Sequence, residues 1–318
     1  MPEGPSVRRF YSLACLFVGE VVQRATGRTR QVRPEQLVGL KLRQCQVHGK
    51  KLYLGFTSGC RLESKGAEMV IAQSQERPDL ALGPVLDIPS RQQVMDSALG
   101  EVEVEVGSSA LSGQSPLTLQ REGQWLQFHF GMFGSVRANG FSRAKRANKR
   151  GDWQDPPPRL VLYFPGGQFL VFYNCRICPC GSPPSGHTSD ILCPEFDRNL
   201  ALQALQLAQP ICYTLLNQHL FSGLGNIIKN EVLYLSAIHP MSLGCLLDIE
   251  KLQTLLDQVI QFSHEWLDNK TKGKGLKYHI YQRERCPEGH GVERAELGPP
   301  HGLQRATWWC PVCQPAVQ

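Results

Sequence analysis

The sequence predicts an α+β chain of several domains. A β-sandwich led by a short helix comes first, then a helical domain, then a small metal-held β-hairpin. Three observations carry this. Short apolar runs separated by turn residues fill the first half, apolar residues at helical spacing follow Pro183-Pro184, and paired Cys/His knuckles close the chain. At 318 residues two domains are more expected than one.

The first helix is announced by Gly4-Pro5, a cap followed by a first-turn proline. Val7, Phe10, Ala14 and Phe17 then recur at helical spacing up to Gly19. Short apolar runs at Lys41–Val47, Lys51–Phe56, Trp125–Phe130, Gly134–Ala138, Leu160–Phe164 and Gln168–Tyr173 predict strands. The segment Thr57–Gly123 interrupts them. It is rich in Ser, Gln, Glu and Gly and lacks a sustained period, so it is expected to be a disordered insert, with Glu101–Val106 briefly extended. Ser182-Pro183-Pro184-Ser185-Gly186 marks a linker. Helices are expected at Glu195–Gln209, Tyr213–Leu220, Ile227–Ser236 and Ile249–Asp268. The expected domains are therefore 1–181 (with the insert 57–123), a linker 182–194, a helical domain 195–278 and a hairpin domain 279–318.

Charge is uneven. Thr57–Gly123 holds five basic and ten acidic residues, which leaves 29 basic and 18 acidic residues, a net +11, on the rest. That remainder reads as a polyanion binder, with nucleic acid first. No apolar run is long enough to span a bilayer, and no signal-peptide layout opens the chain, so no membrane role is expected. The twelve cysteines then belong to a reducing compartment, as thiols or metal ligands.

Cys286-x3-His290 and Cys310-x2-Cys313 are two knuckles nineteen residues apart. This spacing predicts one structural Zn2+ closed by four protein ligands. Between them Val292–Leu297 and Leu303–Trp309 read as strands joined by a turn at Gly298–Gly302. Cys175, Cys178 and Cys180, with His187 and Cys193 nearby, do not form paired knuckles and are not assigned a metal.

The start of the chain carries chemistry. An initiator Met before Pro is usually trimmed, so Pro2 is expected to be a free secondary amine, with a pKa near ~8 against ~10.4 for lysine. Such an amine condenses with a sugar aldehyde to an iminium, an electron sink for elimination. Glu3 can move protons beside it. The N-terminal end of the first helix favours ionised Glu3, while burial has the opposite effect, and the sequence leaves the two open. Pro-Glu alone also fits an ordinary disordered terminus.

Other groups read two ways. Gly223-Leu224-Gly225-Asn226, between two helices, suits a phosphate oxygen or is a plain connection. Lys50 and Lys51 fit a solvated pair. Arg143, Lys145, Arg146, Lys149 and Arg150 fit a phosphate grip, a nuclear import signal or a solvated loop.

Pro2–Pro5, Gly49-Lys50, His129–Gly134 (HFGMFG), Leu216-x-Gln218-x3-Ser222-Gly-Leu-Gly-Asn226-Ile-Ile-x2-Glu231, Ile238-His-Pro240 and Gln304-Arg305-Ala-Thr307 fall in one order. In that order they resemble the formamidopyrimidine-DNA glycosylase/endonuclease VIII family. The Cys-His-Cys-Cys set, the Asn148–Trp153 stretch and the insert position resemble one vertebrate branch of it. The resemblance implies a helix–two-turns–helix DNA-binding domain and a zinc-finger hairpin. It implies a bifunctional DNA glycosylase and lyase, with Pro2 the Schiff-base nucleophile and Glu3 the acid/base. Lys50, Asn226 and Arg305 would hold phosphates, and Met132 would fill the hole left by the flipped base.

The resemblance also implies damaged DNA as partner, whether duplex, bubble or single-stranded. Other base excision repair proteins, a monomer, and a nuclear place (cytoplasmic or mitochondrial also open) are implied with it. No redox or nucleotide cofactor is expected. Members that repair purines follow the Tyr-Asn strand with Arg-Arg-Phe. Here Tyr173-Asn174-Cys175-Arg176-Ile177-Cys178 lacks the Phe, which points to oxidised pyrimidines. The alternatives are a non-catalytic zinc-finger DNA-binding protein and a family member for oxidised purines.

Overall fold

The computed structural model describes residues 2–59, 123–144, 151, 153–186 and 188–316. Of the insert, 60–122 falls outside these, with its stretch Glu101–Val106, as do Lys145, Arg146, Asn148, Lys149 and Arg150 of the basic stretch and His187, while Thr57 and Ser58 belong to a strand rather than to the insert.

Helix α1 (Gly4–Cys15) starts where Gly4-Pro5 puts it. The strands are β1 (Arg24–Gly27), β2 (Leu40–His48), β3 (Lys51–Ser58), β4 (Gln124–Ala138), β5 (Leu160–Tyr163) and β6 (Phe169–Cys180). They form one antiparallel sheet in the order β1-β5-β6-β4-β3-β2. Its ends meet. Val21 bridges Lys41, and Val22 N and Leu42 N donate to Leu40 O and Glu20 O, so the sheet folds back on itself as a sandwich.

Two corrections follow from the strands. Trp125–Phe130 and Gly134–Ala138 are one strand, broken in register between Phe130 and Ser135. Strand β6 runs on through Cys175–Cys180 rather than into a linker. Buried Cys175 and Ile177 alternate with exposed Asn174 and Arg176, which is the period of a half-buried strand. Strand β1 was not expected. It has only four residues, too short for a period to show.

The first core lies inside the sandwich. Phe128 and Phe172, both fully buried, stack across β4 and β6 at 4.4 Å, with Val7, Phe17 and Leu126 in the same cluster. A second core joins α2 (Arg198–Leu205), α3 (Ile211–Leu216), α4 (Asn226–Leu235) and α5 (Ile249–Thr271). The first two are shorter than expected because Pro210 separates them and turns follow each. Strands β7 (Glu293–Leu297) and β8 (Arg305–Trp309) pair as the last hairpin. Among the described residues no helix is long and apolar enough to cross a membrane.

Phe128→Ala removes a ring from the sandwich interior where nothing can collapse cheaply. We expect it to lower unfolding free energy by about 3–5 kcal/mol in a denaturant titration.

Candidate active site

The site forms where the beginning of the chain meets the middle. Glu3 is buried, and its carboxylate accepts hydrogen bonds from Ile227 N (2.7 Å) and Ile228 N (3.1 Å). These are early amides of α4, which have no partner within the helix. Glu3 thus caps a helix more than two hundred residues away. Its capping is possible because position 225 is glycine: a Cβ there would sit 2.3 Å from the Glu3 Cδ.

A second close approach locks this junction. Gly4 N donates to Gly223 O at 2.8 Å. Gly49, at φ +53°, lies where a Cβ would be 2.0 Å from Ser222 Oγ. The turn that carries Lys50 is thereby pressed against the Ser222–Asn226 loop. Gln218 shapes that loop, donating to Leu216 O and Leu224 O.

Electrostatics tie the groups together. Burial pushes the Glu3 carboxyl above the usual carboxylate range, against the opposing pull of Lys50 and of the two α4 amides. The two tendencies left open by the sequence are thus resolved in favour of burial. Lys50 is brought down to about 8 by burial, with Glu3 raising it and Arg305 lowering it. Pro2 is half-buried next to Glu3.

Arg305 opens β8, and α4 grips that strand with three polar side chains. Asn226 Nδ2 donates to Ala306 O (2.8 Å), Lys229 Nζ to Thr307 Oγ1 (2.7 Å), and Trp308 N donates to Asn230 Oδ1 (2.8 Å). Thr307 Oγ1 in turn donates to Arg305 O. Asn226 Oδ1 is buried without a described partner. Asn226 thus spends one of its two amide protons on the hairpin.

The structure brings Pro2, Glu3, Lys50, Asn226 and Arg305 into one neighbourhood. Met132 is separate from it. It lies at the β4 bulge, 62% exposed beside Phe133, 85% exposed and at φ 64°. Asn174 Nδ2 donates to the Met132 carbonyl and props up this tip.

The Cys286, His290, Cys310 and Cys313 ligand atoms lie within 4.8 Å of one another. Cys286 Sγ is 4.0 Å from Cys313 Sγ and 3.7 Å from His290 Nδ1, which is 3.3 Å from Cys313 Sγ. Zinc–sulfur bonds of ~2.3 Å give tetrahedral edges of about 3.8 Å, so the donors fit such an ion.

Three positioning residues were given no role from sequence. Asp190, buried within the span read as a linker, accepts from Arg8 Nη2 (3.0 Å), Gly49 N (2.9 Å) and Leu192 N (3.0 Å). The linker is therefore anchored at its end, and it fastens α1 to the Lys50 turn. Glu231, fully buried, accepts from the backbone of His279, Ile280 and Tyr281 and pairs with His279 Nδ1 at 2.9 Å. Lys229 is the third. The signal for Lys229 and Glu231 was polar residues inside an apolar run: Ile228–Leu233 is buried throughout.

Residues 188–275 match the family model described as the formamidopyrimidine-DNA glycosylase H2TH domain. Endonuclease 8-like 2 of mouse is 47% identical over the whole of this chain and 97% of its own length, and that of human is likewise 47% identical with the same coverage. Among solved structures, a viral DNA glycosylase superposes with a TM-score of 0.62 at 18% identity, covering 98% of this chain and 99% of that one. The MutM (Fpg) protein of Thermus thermophilus gives 0.60 at 17% identity, covering all of both chains. At these identities the structural likeness concerns the fold.

Lys229 supplies a test of the grip on β8. Burial lowers it to about 8, so between pH 8 and 10.5 the unfolded chain binds more protons than the folded one. Stability contributed by this residue therefore rises with pH across that window. In urea unfolding, wild type is expected to gain on Lys229→Met from pH 8 to pH 10. A constant difference would mean that Lys229 titrates normally.

Proposed function

The chain belongs to the formamidopyrimidine-DNA glycosylase/endonuclease VIII family, and we propose that it excises oxidised pyrimidines through a Schiff base on Pro2. It is a DNA glycosylase and AP lyase of base excision repair. The finer reading rests on one observation: the segment Pro2-Glu3 is packed on the start of α4, with Lys50 and Arg305 close enough to shift the charge balance.

In this reading the damaged nucleotide is flipped out of the stack, as it must be for chemistry at its sugar. With Met1 removed, the Pro2 nitrogen attacks C1′ and the bond to the base breaks. Glu3, whose burial favours the protonated form, delivers a proton to the sugar or base. The amine proton is then lost and the C1′–O4′ bond opens, O4′ taking up a proton, so that Pro2 and C1′ form an iminium, which acidifies C2′. Loss of that proton breaks C3′–O, a second elimination breaks C5′–O, and the gap is left with phosphate ends. Hydrolysis of the remaining imine frees Pro2.

Lys50, Asn226 and Arg305 hold phosphates around C1′, and Met132 with Phe133 enters the vacated stack. Cys286, His290, Cys310 and Cys313 hold a structural zinc ion, which closes a hairpin too small to fold alone. The alternative of a non-catalytic binder predicts no borohydride adduct on Pro2. A purine-specific enzyme is disfavoured because Cys175-Arg176-Ile177-Cys178 offers no Phe after the arginine.

The chain divides into domains 1–181, 195–278 and 279–318, with a linker 182–194. Damaged DNA is the partner, in the nucleus and alongside other base excision repair proteins, with the protein acting as a monomer.

Borohydride is expected to fix the protein to abasic DNA, and peptide mapping should place the adduct on Pro2. An adduct on a lysine peptide would refute the nucleophile. Glu3→Gln should lose base excision by ~10²–10⁴ while retaining more of the elimination at a preformed abasic site. Equal loss of both would give Glu3 one role in both steps.

Removing zinc with a chelator should abolish lesion binding and release close to one equivalent of metal per chain, measured by atomic absorption. Binding that survives complete metal loss would show that the α4 grip alone holds Arg305.

A further inference from the structure

Two thiols that the glycosylase chemistry does not use meet at the far end of α1. Cys15 is the last residue of that helix, and Cys45 lies on β2. Backbone hydrogen bonds hold the two elements together there. Gly19 N donates to Leu42 O (2.7 Å) and Leu42 N donates to Glu20 O (2.9 Å). Strand β2 shifts register between Leu42 and Gln44. Its buried positions therefore fall at Leu42, Cys45 and Val47 rather than in strict alternation. A bulge of this kind re-aims the side chains that follow it, and here it turns Cys45 inward. Cys45 joins the core of the sandwich, and Cys15 and Tyr11 pack against the same cluster.

The Cys45 thiol and the Tyr11 hydroxyl both donate to the Cys15 sulfur. Tyr11 stands four residues before Cys15 and so reaches it along one helix face. Two donors on one sulfur favour its thiolate. The bond from Cys45, with that from Tyr11, brings Cys15 down to about 6 against the opposing effect of burial. Cys45 moves the other way and holds its proton, through its bond to Cys15 and through burial. Arg8 is the cation that bears on Tyr11. The C-terminal end of α1 disfavours a negative sulfur, and the two donors outweigh it.

Other thiols of the chain are placed differently. Cys175 and Cys212 are buried, and burial pushes them up to about 12 and about 11. Cys178 Sγ donates to Gln31 Oε1, and Cys193 Sγ to Glu195 Oε2. A half-buried thiolate touching a second, protonated thiol is the arrangement of a reactive cysteine with its resolving partner.

We propose that Cys15 and Cys45 are a reversible redox site, at which a hydroperoxide creates a disulfide between α1 and β2. The Cys15 thiolate attacks one peroxide oxygen and the O–O bond breaks. The departing oxygen takes up a proton, and Cys15 is left as a sulfenic acid. Its sulfur has lost two electrons and the peroxide has gained them. The Cys45 sulfur then attacks Cys15 and gives up its proton, and the sulfenic hydroxyl leaves with that proton as water. An external dithiol reverses the bond by exchange. It becomes a disulfide itself and returns one hydrogen to each cysteine. The twelve residues of α1 span about 18 Å, so the new bond forms well away from Pro2 and Glu3.

The test uses the zinc-loaded full chain with hydrogen peroxide as the probe. Free thiols are then blocked, and the protein is digested without reductant. Peptide mapping should find the Cys15 and Cys45 peptides joined and lighter than their sum by two hydrogen atoms. The link should vanish with dithiothreitol. In Cys45→Ser, dimedone should capture a sulfenic acid on Cys15. In Cys15→Ser, Cys45 should lose its thiol about tenfold more slowly than in wild type, since a thiol that holds its proton is the poorer nucleophile. The proposal is overturned if Cys15 of wild type runs on to the sulfinic acid while Cys45 stays free. It is also overturned if Cys45 oxidises at an unchanged rate in Cys15→Ser, or if Cys15 links to several cysteines alike. The wild-type map decides the matter even if a variant fails to fold.

Discussion

The carboxyl of Glu3 on the first amides of α4 is the constraint on which the rest of the molecule depends. It places the beginning of the chain against its middle, fixes where Pro2 sits, and keeps an ionisable group in a dry place. The cost of that burial is offset in part by two backbone donors, and the remainder appears as a carboxyl that holds its proton more tightly. Once Glu3 is on α4, the same helix can serve two masters. Its first turn holds the acid, while Asn226, Lys229 and Asn230 face the hairpin that carries Arg305.

Asp190 and Glu231 extend this arrangement outward. Each is a buried acid that accepts from backbone amides, Asp190 from Gly49 and its near neighbour Leu192, Glu231 from His279, Ile280 and Tyr281. Buried acids satisfied by several donors resist rearrangement, since breaking any one contact leaves a buried acceptor short of a donor. Asp190 thereby ties the Lys50 turn to α1 through Arg8. Glu231 holds His279–Tyr281, where the chain leaves the helices for the hairpin. The phosphate-holding side chains sit on elements made stiff by groups that touch no substrate.

The legible parts of the sequence were those with a local signature. Gly4-Pro5 opens α1, the Cys/His knuckles come together as their spacing indicates, and the helices of the second core begin near their expected residues. The motifs shared with the family point to Glu3, Lys50, Asn226 and Arg305, and these do converge. What was not legible is long-range. Nothing near Asp190 reveals that its partners are Arg8 and Gly49. Nor does a local pattern tell that Asn226 donates to Ala306. The break at Gly131–Gly134 looked like a turn between two strands because a bulge and a turn both use glycine; only the pairing of β4 with β6 on both sides distinguishes them.

The pairing of β3 with β4 has a consequence for how the chain accommodates change. Phe56 sits opposite Gln124, so the two ends of the intervening segment are already neighbours across a hairpin. The strands themselves set the register there, and the connection has only to close. For flexible loops in general, each doubling or halving of length changes the closure entropy by only about 0.6 kcal/mol. This hairpin is thus a place where the gene can grow or shrink at little thermodynamic expense, while the Ser222–Asn226 loop, wedged between Glu3 and Gly49, admits no insertion.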